Sequence, residues 1–257
     1  MQSMASTQAD TAPGRAALQG EDLVAGYTSD IHILQGLSVR AWRGRVASVV
    51  GPNGTGKSTL LKTLFGFLHP NSGRVVFEGQ DITGTPPYRS IHLGIVYLPQ
   101  KPSLFPFLSV ESNLKLGAWH ARLPKTDLRR KLDMVYEQFP VARDKRRQPA
   151  GQLSGGQQRQ VEIARSLMTN PHLYLIDEPS AGVDPQTSEA IYEMVRNLAS
   201  EMNKAVLLVD QDVKSALEIT DYVYVVKSGR LFAEGPRSDF RGDTDALVAQ
   251  WLFAHEE

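Results

Sequence analysis

The sequence predicts an α/β fold with a doubly wound core, in which helices cover both faces of a largely parallel sheet. Four almost continuous hydrophobic runs are typical of strands buried on both faces: Val46 to Val50, Ile95 to Leu98, Leu173 to Ile176 and Ala205 to Val209. The segments between them are amphipathic, and one of them, after Ser188, has apolar residues at helical spacing: Ile191, Met194, Val195 and Leu198. Such alternation is typical of doubly wound sheets. A glycine turn between Tyr222 to Val226 and Leu231 to Ala233 predicts an antiparallel hairpin.

The remaining segments complete the expected organisation. The first 20 residues are small and polar and lack the regions of a signal peptide, so we expect a disordered tail at residues 1–20. We expect residues 21–245 to form the folded domain and residues 246–257 a C-terminal helix or tail. Prolines, basic clusters and helical spacing of apolar residues predict a helical subdomain at about residues 101–165.

Length, charge and cysteine content exclude several classes of protein. The 257 residues suffice for a large domain, and 28 Lys and Arg balance 28 Asp and Glu. This balance argues against a protein that coats nucleic acid or binds lipid through basic charge. The absence of cysteine excludes a disulfide scaffold, a thiolate zinc site and a cysteine nucleophile. The apolar runs are far shorter than the about 20 residues that a membrane span needs.

The most informative motif is GPNGTGKS at residues 51–58, which matches the phosphate-binding loop G-x-x-x-x-G-K-[ST]. It follows a predicted strand and precedes a helical run, which is the context that such a loop needs. Its glycines let successive amides turn inward, and the helix N-terminus adds positive potential. Lys57 can reach terminal phosphates, and the Ser58 hydroxyl can ligate Mg²⁺. The expected nucleotide contacts are Gly51, Pro52, Asn53, Gly54, Thr55, Gly56, Lys57, Ser58 and Thr59.

A buried strand ends in two adjacent acids, Asp177 and Glu178. Asp177 is expected at the carboxyl end of the strand, where it can hold Mg²⁺ through water, while Glu178 can polarise an attacking water. A turn or a helix cap explains such a pair equally well by itself. The phosphate loop upstream favours the catalytic interpretation.

A third motif, LSGGQQR at residues 153–159, precedes a helix and offers a second phosphate-binding helix N-terminus. Together with the phosphate loop, LYLIDEPS at residues 173–180 and SAGVD at residues 180–184, it closely resembles the ATP-binding subunits of ABC transporters. The resemblance covers about residues 21–240. It implies a P-loop NTPase core with a mixed sheet, an antiparallel β subdomain and a helical insertion. It also implies ATP hydrolysis, with ATP and Mg²⁺ as cofactors.

The resemblance also implies partners and further site residues. Two ATPase subunits of this family pair head to tail, so Ser154, Gly155, Gly156 and Gln157 would contact the γ-phosphate held by the partner. Tyr27 would stack on adenine, Gln100 would sense Mg²⁺ and water, and Asp184 would communicate across the dimer. A core or strand-edge role stays open for Tyr27. The expected partners are a second ATPase subunit, integral membrane permease subunits and, indirectly, a substrate-binding protein, at the cytoplasmic face of the membrane.

One position departs from the family pattern, because Gln211 stands where most members have a histidine. Its amide can donate a hydrogen bond but cannot become cationic. Glu178 is therefore the main candidate base, with Gln100 and Gln211 as further catalytic candidates. The glutamine resembles one ATPase of branched-chain amino acid importers and of related urea or amide importers. Gln100 and Asp184 fit that group less well, so a lipid or lipopolysaccharide exporter stays an alternative.

Other interpretations also stay open. Phe105, Phe107 and Leu108 either line a groove for the membrane partner or form the core of the helical subdomain. A non-transport ATPase and an ATP-binding regulatory protein are the alternatives from other classes, the second favoured by Gln211. The six histidines show no paired metal-ligand spacing, so a metal enzyme has little support.

Overall fold

The computed structural model describes residues 14–28 and 30–240. Ten strands lie in these ranges: β1 (Leu18–Ala25), β2 (Leu34–Ala41), β3 (Val46–Val50), β4 (Ser72–Phe77), β5 (Gln80–Asp81), β6 (Ile95–Leu98), β7 (Leu173–Asp177), β8 (Ala205–Asp210), β9 (Tyr222–Lys227) and β10 (Arg230–Pro236). Eight α-helices lie between them: α1 (Lys57–Phe65), α2 (Pro87–His92), α3 (Val110–Gly117), α4 (Lys125–Gln138), α5 (Pro140–Asp144), α6 (Gly155–Leu167), α7 (Pro185–Ser200) and α8 (Val213–Ile219). None of these helices is long and apolar enough to span a bilayer.

The central sheet has six strands in the order β10-β9-β3-β8-β7-β6. The five from β9 to β6 are mutually parallel, and β10 pairs antiparallel with β9. Every residue of β3, β7 and β8 is buried, which explains their continuous hydrophobic runs. The predicted strands and the predicted hairpin are confirmed, and the carboxyl ends of β3, β6, β7 and β8 meet at one edge.

A second, antiparallel sheet has the order β2-β1-β4-β5. Its strand β1 begins at Leu18, and Ala16 and Ala17 are already buried, so the predicted tail at residues 1–20 extends too far. The sequence of β1 shows no regular alternation of polar and apolar residues, and a register shift accompanies a positive φ at Asp22. This bulge obscures the period of two that would have revealed the strand. Residues 1–13 lie outside the described ranges.

Helices α3 to α6 occupy residues 110–167 and pack beside β6 and β7. Apolar residues of α4, among them Leu132 and Val135, are buried as their spacing predicts. Helix α7 begins at Pro185, earlier than the apolar pattern after Ser188 indicates, because Asp184 caps it and a proline suits its first turn. The predicted C-terminal helix or tail at residues 246–257 lies outside the described residues.

Candidate active site

The phosphate loop connects β3 to α1 at the carboxyl edge of the central sheet. Helix α1 begins after Gly56, whose φ of 98° is left-handed, and no described side chain caps this N-terminus. At Gly51 a Cβ atom would lie 2.2 Å from the carbonyl oxygen of Val226, so glycine is required there. The first amides of α1 lack intrahelical acceptors, as at any helix start, and together they form an anion-binding end.

Lys57 is buried under this loop. Its ammonium donates hydrogen bonds of 2.8 Å to the carbonyl oxygens of both Gly51 and Pro52. Burial lowers the pKa of Lys57, while the carboxylates of Glu178, Asp177 and Asp210 oppose that shift. The charges of these three carboxylates thus offset part of the cost of burying the ammonium.

Asp177 ends β7 and lies beside the start of α1. Its Oδ1 accepts a 2.9 Å hydrogen bond from the Ser58 hydroxyl, and its Oδ2 accepts one of 3.0 Å from the Tyr97 hydroxyl. The aspartate is only 4% exposed. The structure thus brings together Ser58 and Asp177, two of the three residues predicted at the metal site, and it adds Tyr97, which the sequence analysis did not single out.

Glu178 follows directly but points elsewhere. Its φ of 44° is left-handed, and its amide donates to the Val209 carbonyl oxygen at 2.8 Å. This backbone turn directs the side chain to Gln100, whose Nε2 donates a 2.7 Å hydrogen bond to Oε2 of Glu178. A non-glycine residue with a left-handed φ is uncommon and typical of functional sites.

Gln211 follows the end of β8 and is exposed. The carboxylate of Asp210 shapes this turn, because its Oδ1 accepts from the amides of Gln211 and Asp212 at 2.8 and 3.0 Å. Its Oδ2 accepts from the Tyr192 hydroxyl at 2.8 Å. Burial raises the pKa of Asp210 to about 6. Asp210 is a second site residue without a role in the sequence analysis.

Tyr27 lies beyond the end of β1 and is 58% exposed, so its alternative role in the core is wrong. Lys62 of α1 donates to its hydroxyl at 3.1 Å and also lies 5.5 Å from its ring centroid. This hydrogen bond lowers the pKa of Tyr27. The tyrosine is thereby held against the helix that carries Lys57 and Ser58.

The LSGGQQR motif begins α6, where Ser154 is the N-cap. Its hydroxyl accepts from the Gln157 amide at 3.3 Å, and its own amide donates to Gln157 Oε1 at 3.2 Å, which completes a capping box. A Cβ atom at Gly156 would lie 2.0 Å from the Thr187 methyl carbon. Asp184 accepts from the amide of the same Thr187 at 3.0 Å. The segment 154–157 and Asp184 therefore lie on neighbouring helix starts.

A buried ion pair ties α6 to the two segments that carry Gln100 and Glu178. The Arg159 guanidinium bonds Glu162 at 2.6 Å, the Gln100 carbonyl oxygen at 2.5 Å and the Pro179 carbonyl oxygen at 3.1 Å. Glu162 accepts in turn from the Ser103 amide and hydroxyl at 2.7 Å. Helix α6 is thus tied to the chain after Gln100 and after Glu178. Only the position of Arg159 inside LSGGQQR could have indicated this role.

The helical region also bears exposed aromatic residues. Phe105, Phe107 and Leu108 are 53%, 94% and 40% exposed, so their alternative role as subdomain core is wrong. A separate groove of about 320 Å³ lies between α2, β6 and the helical region. Its apolar walls include Phe65, Ile91, Tyr97, Leu116 and Trp119.

Comparisons with known proteins give the same family throughout. A family model described as ABC transporter matches residues 34–181. The chain is 37% identical to a probable branched-chain amino acid transport ATP-binding protein, LivF, of Archaeoglobus fulgidus, over 84% of this chain and 91% of that protein. It is also 37% identical to the high-affinity branched-chain amino acid transport ATP-binding protein BraG of Pseudomonas aeruginosa, over 82% of this chain and 89% of that protein.

A solved structure supports the assignment at the level of the fold. The crystal structure of the ADP conformation of an ATP-binding cassette of an ABC transporter superimposes with a TM-score of 0.80 at 30% identity. That superposition covers 94% of this chain and all of the other. The family model spans more than half of the sequence, and the two relatives are matched over most of their length. The chain therefore belongs to the ABC transporter family, as an ATP-binding subunit that hydrolyses ATP.

Proposed function

We propose that this chain energises the import of branched-chain amino acids, as one ATPase subunit of a high-affinity importer. The names of the two relatives at 37% identity support this substrate class, and so does Gln211 in place of the usual histidine. The observation that carries the ATPase role is the pair Ser58 and Asp177, joined at 2.9 Å beside an uncapped helix start. The start of α1, which can bind phosphate, therefore lies next to the Asp177 carboxylate, which can bind a metal ion.

In the proposed site, residues 51–59 bind the phosphates of ATP. The amides at the start of α1 donate to phosphate oxygens, and Lys57 exchanges its bonds with the Gly51 and Pro52 carbonyl oxygens for the terminal phosphates. This exchange keeps a buried ammonium hydrogen-bonded in both states. Tyr27, held beside α1 by Lys62, stacks on the adenine ring.

The donor set fits Mg²⁺. The Ser58 hydroxyl and the Asp177 carboxylate offer oxygen atoms 2.9 Å apart, and the side chain of Gln100 supplies an amide oxygen as a third donor. Hard divalent cations prefer such ligands. When bound, the ion neutralises charge on the phosphates. Ser58, Gln100 and Asp177 would hold it, directly or through water.

Glu178 acts as the general base in this proposal. Its carboxylate accepts the proton of the attacking water, while the Gln100 amide holds the carboxylate oriented at 2.7 Å. Gln211, placed by Asp210, donates its side-chain amide toward the γ-phosphate. Since the side-chain amide of Gln211 neither accepts nor releases a proton, proton transfer depends on Glu178 alone.

The remaining site residues serve the assembly. Ser154, Gly155, Gly156 and Gln157 contact the γ-phosphate held by a second ATPase subunit, and Asp184 on the neighbouring helix start carries the signal across that interface. Integral membrane permease subunits hold the dimer at the cytoplasmic face of the membrane. A substrate-binding protein delivers the cargo to them from the other side.

Uptake by the host strain tests the substrate class. Deletion of the gene is expected to abolish high-affinity uptake of radiolabelled leucine, isoleucine and valine, and expression of the wild-type chain is expected to restore it. A Lys57→Ala chain at equal abundance is expected not to restore uptake, whereas a Lys115→Ala chain, changed on the exposed surface of α3, is the matched control.

Three results would redirect the assignment. Loss of urea or amide uptake with normal leucine uptake would assign the chain to the related importers. Altered lipid or lipopolysaccharide export would assign it to an exporter. Normal transport of all these substrates would favour an ATPase or a regulatory protein outside transport.

A further inference from the structure

Tyr97 has two different environments. Its hydroxyl donates to Oδ2 of Asp177 at 3.0 Å, while its ring forms part of the apolar groove between β6 and the helical region. Only these two side chains, those of Ser58 and Tyr97, donate to the Asp177 carboxylate among the described residues. Each of them occupies one carboxylate oxygen, so the plane of the carboxylate is fixed from both sides.

Two phenylalanines hold the tyrosine ring. Phe65 stacks on it with a centroid distance of 5.7 Å, and Phe67 meets it edge-on at 5.6 Å. Phe65 is buried and ends α1, whereas Phe67 is 54% exposed at the surface. Aromatic pairs of this geometry favour one ring orientation, and that orientation aims the hydroxyl at Asp177.

The Tyr97 hydroxyl is the donor in this contact. A phenol carries its proton at neutral pH, so the hydroxyl donates and a carboxylate oxygen of Asp177 accepts. A neutral donor orients a carboxylate without competing with a cation for its charge.

We propose that Tyr97 is a positioning residue that fixes the Asp177 carboxylate for the divalent metal of the nucleotide site, with its ring held in place by Phe65 and Phe67. This inference rests on the proposed role of Asp177 in metal binding. Without the hydroxyl, Oδ2 loses its partner and the carboxylate can rotate about its terminal torsion. Metal binding then has to restore the orientation of the carboxylate. The affinity for the metal is therefore lower, while the phosphate loop is unchanged.

The experiment separates metal binding from nucleotide binding. A fluorescent ADP derivative, which avoids turnover, is bound to the full-length chain in EDTA and then at increasing Mg²⁺ concentrations. Tyr97→Phe is expected to raise the half-saturating Mg²⁺ concentration by about tenfold, as the loss of one hydrogen bond to a charged acceptor predicts. Affinity for the ADP derivative in EDTA is expected to stay unchanged. Phe67→Ala, which keeps the hydroxyl, is expected to raise the concentration by about twofold.

Two further variants calibrate the result. Tyr88→Phe removes a hydroxyl from an exposed ring outside the site and is expected to behave as the wild type. Asp177→Asn tests the assumption on which the inference rests. An unchanged Mg²⁺ requirement in Asp177→Asn would overturn the metal role of Asp177 itself.

A changed requirement in Asp177→Asn together with an unchanged one in Tyr97→Phe would overturn the role of Tyr97 alone. Weaker binding of Tyr97→Phe in EDTA would show a general structural role and would also overturn it. If the half-saturating Mg²⁺ concentration rose in Tyr97→Phe but not in Phe67→Ala, the part played by Phe67 would be overturned.

Discussion

The side-chain amide of Gln100 donates a 2.7 Å hydrogen bond to the carboxylate of Glu178. The two residues follow the carboxyl ends of β6 and β7, which are parallel neighbours in the central sheet. Ligands bind beyond the carboxyl ends of strands in open α/β sheets, so the pair stands where such a site is expected. The bond orients the candidate base and links it to the segment that enters the helical region.

The first prediction concerns Glu178 as the base. Glu178→Gln is expected to lower the rate of phosphate release by about 100-fold or more, since general-base catalysis contributes that much, while ATP affinity is retained. Gln100→Ala is expected to lower the rate about tenfold in the wild type and to have little effect in Glu178→Gln, because the two residues act together. Steady-state turnover and nucleotide titration measure both quantities.

Glu193→Gln provides the matched control, since this acid lies exposed on α7 and is expected to leave turnover unchanged. Wild-type turnover in Glu178→Gln would contradict the role of the base. Independent effects in the double variant would contradict the coupling to Gln100.

The second prediction concerns Lys57. Lys57→Ala is expected to weaken ATP binding by about 100-fold, because a charge-assisted contact with the terminal phosphates is lost. Isothermal titration with ATP and Mg²⁺ measures the dissociation constant. Lys115→Ala, at an exposed ion pair with Glu111, is expected to bind as the wild type. Equal affinities of all three chains would contradict the proposed phosphate site.

The third prediction concerns the start of α6. In the Glu178→Gln background ATP is expected to hold two copies together, and Ser154→Arg is expected to prevent this by its bulk while ATP still binds. Sedimentation velocity with and without ATP measures the dimer. Ser154→Ala also loses the helix cap but adds no bulk, and it is expected to keep the dimer. A dimer of the Ser154→Arg chain would contradict the contact in trans.

The fourth prediction concerns the buried pair of Arg159 and Glu162, which are 2% and 0% exposed. Arg159→Met is expected to lower the free energy of unfolding by about 3 kcal/mol, because a buried carboxylate loses its main partner. Urea unfolding measures the change. The control, Arg130→Met, removes the exposed partner of Asp127 and is expected to cost nothing measurable. Equal losses in both variants would contradict the special role of the buried pair.

The fifth prediction concerns pH and Asp210. Its folded pKa of about 6 lies above the ordinary value near 4, so the folded state binds more protons between these pH values. The carboxyl therefore contributes stability at low pH that is lost as the pH rises through 6. Asp210→Asn cannot lose a proton. Between pH 4.5 and pH 7.5 we expect the free energy of unfolding of the wild type to fall by about 2 kcal/mol relative to that of this variant.

Urea unfolding of both chains at the two pH values measures this difference, in which the contributions of other groups cancel. The two Asp210 oxygens accept from Gln211, Asp212 and Tyr192, and an asparagine can keep most of these bonds. If the difference in the free energy of unfolding between the two chains were the same at both pH values, the raised pKa of Asp210 would be contradicted.

The sequence by itself determined the strands of the central sheet and the positions of the motifs. Buried strands must be continuously apolar, and a phosphate loop needs its glycines and its lysine at fixed spacing, so both are visible in local sequence. The prediction from local sequence is wrong at the N-terminus, because β1 begins at Leu18, inside the predicted tail. The bulge at Asp22 interrupts the period of two, and only the pairing with β2 and β4 identifies this segment as a strand.

Only the tertiary structure decided which distant residues support the site. Tyr97 and Asp177 are 80 positions apart, and Arg159 contacts the carbonyl oxygen of Gln100 59 positions earlier. Such pairs depend on the order and register of β6 and β7 and on the packing of α6, which no local pattern encodes. Burial, which raises the pKa of Asp210 and fixes the buried pair, likewise exists only once the sheet and helices are assembled.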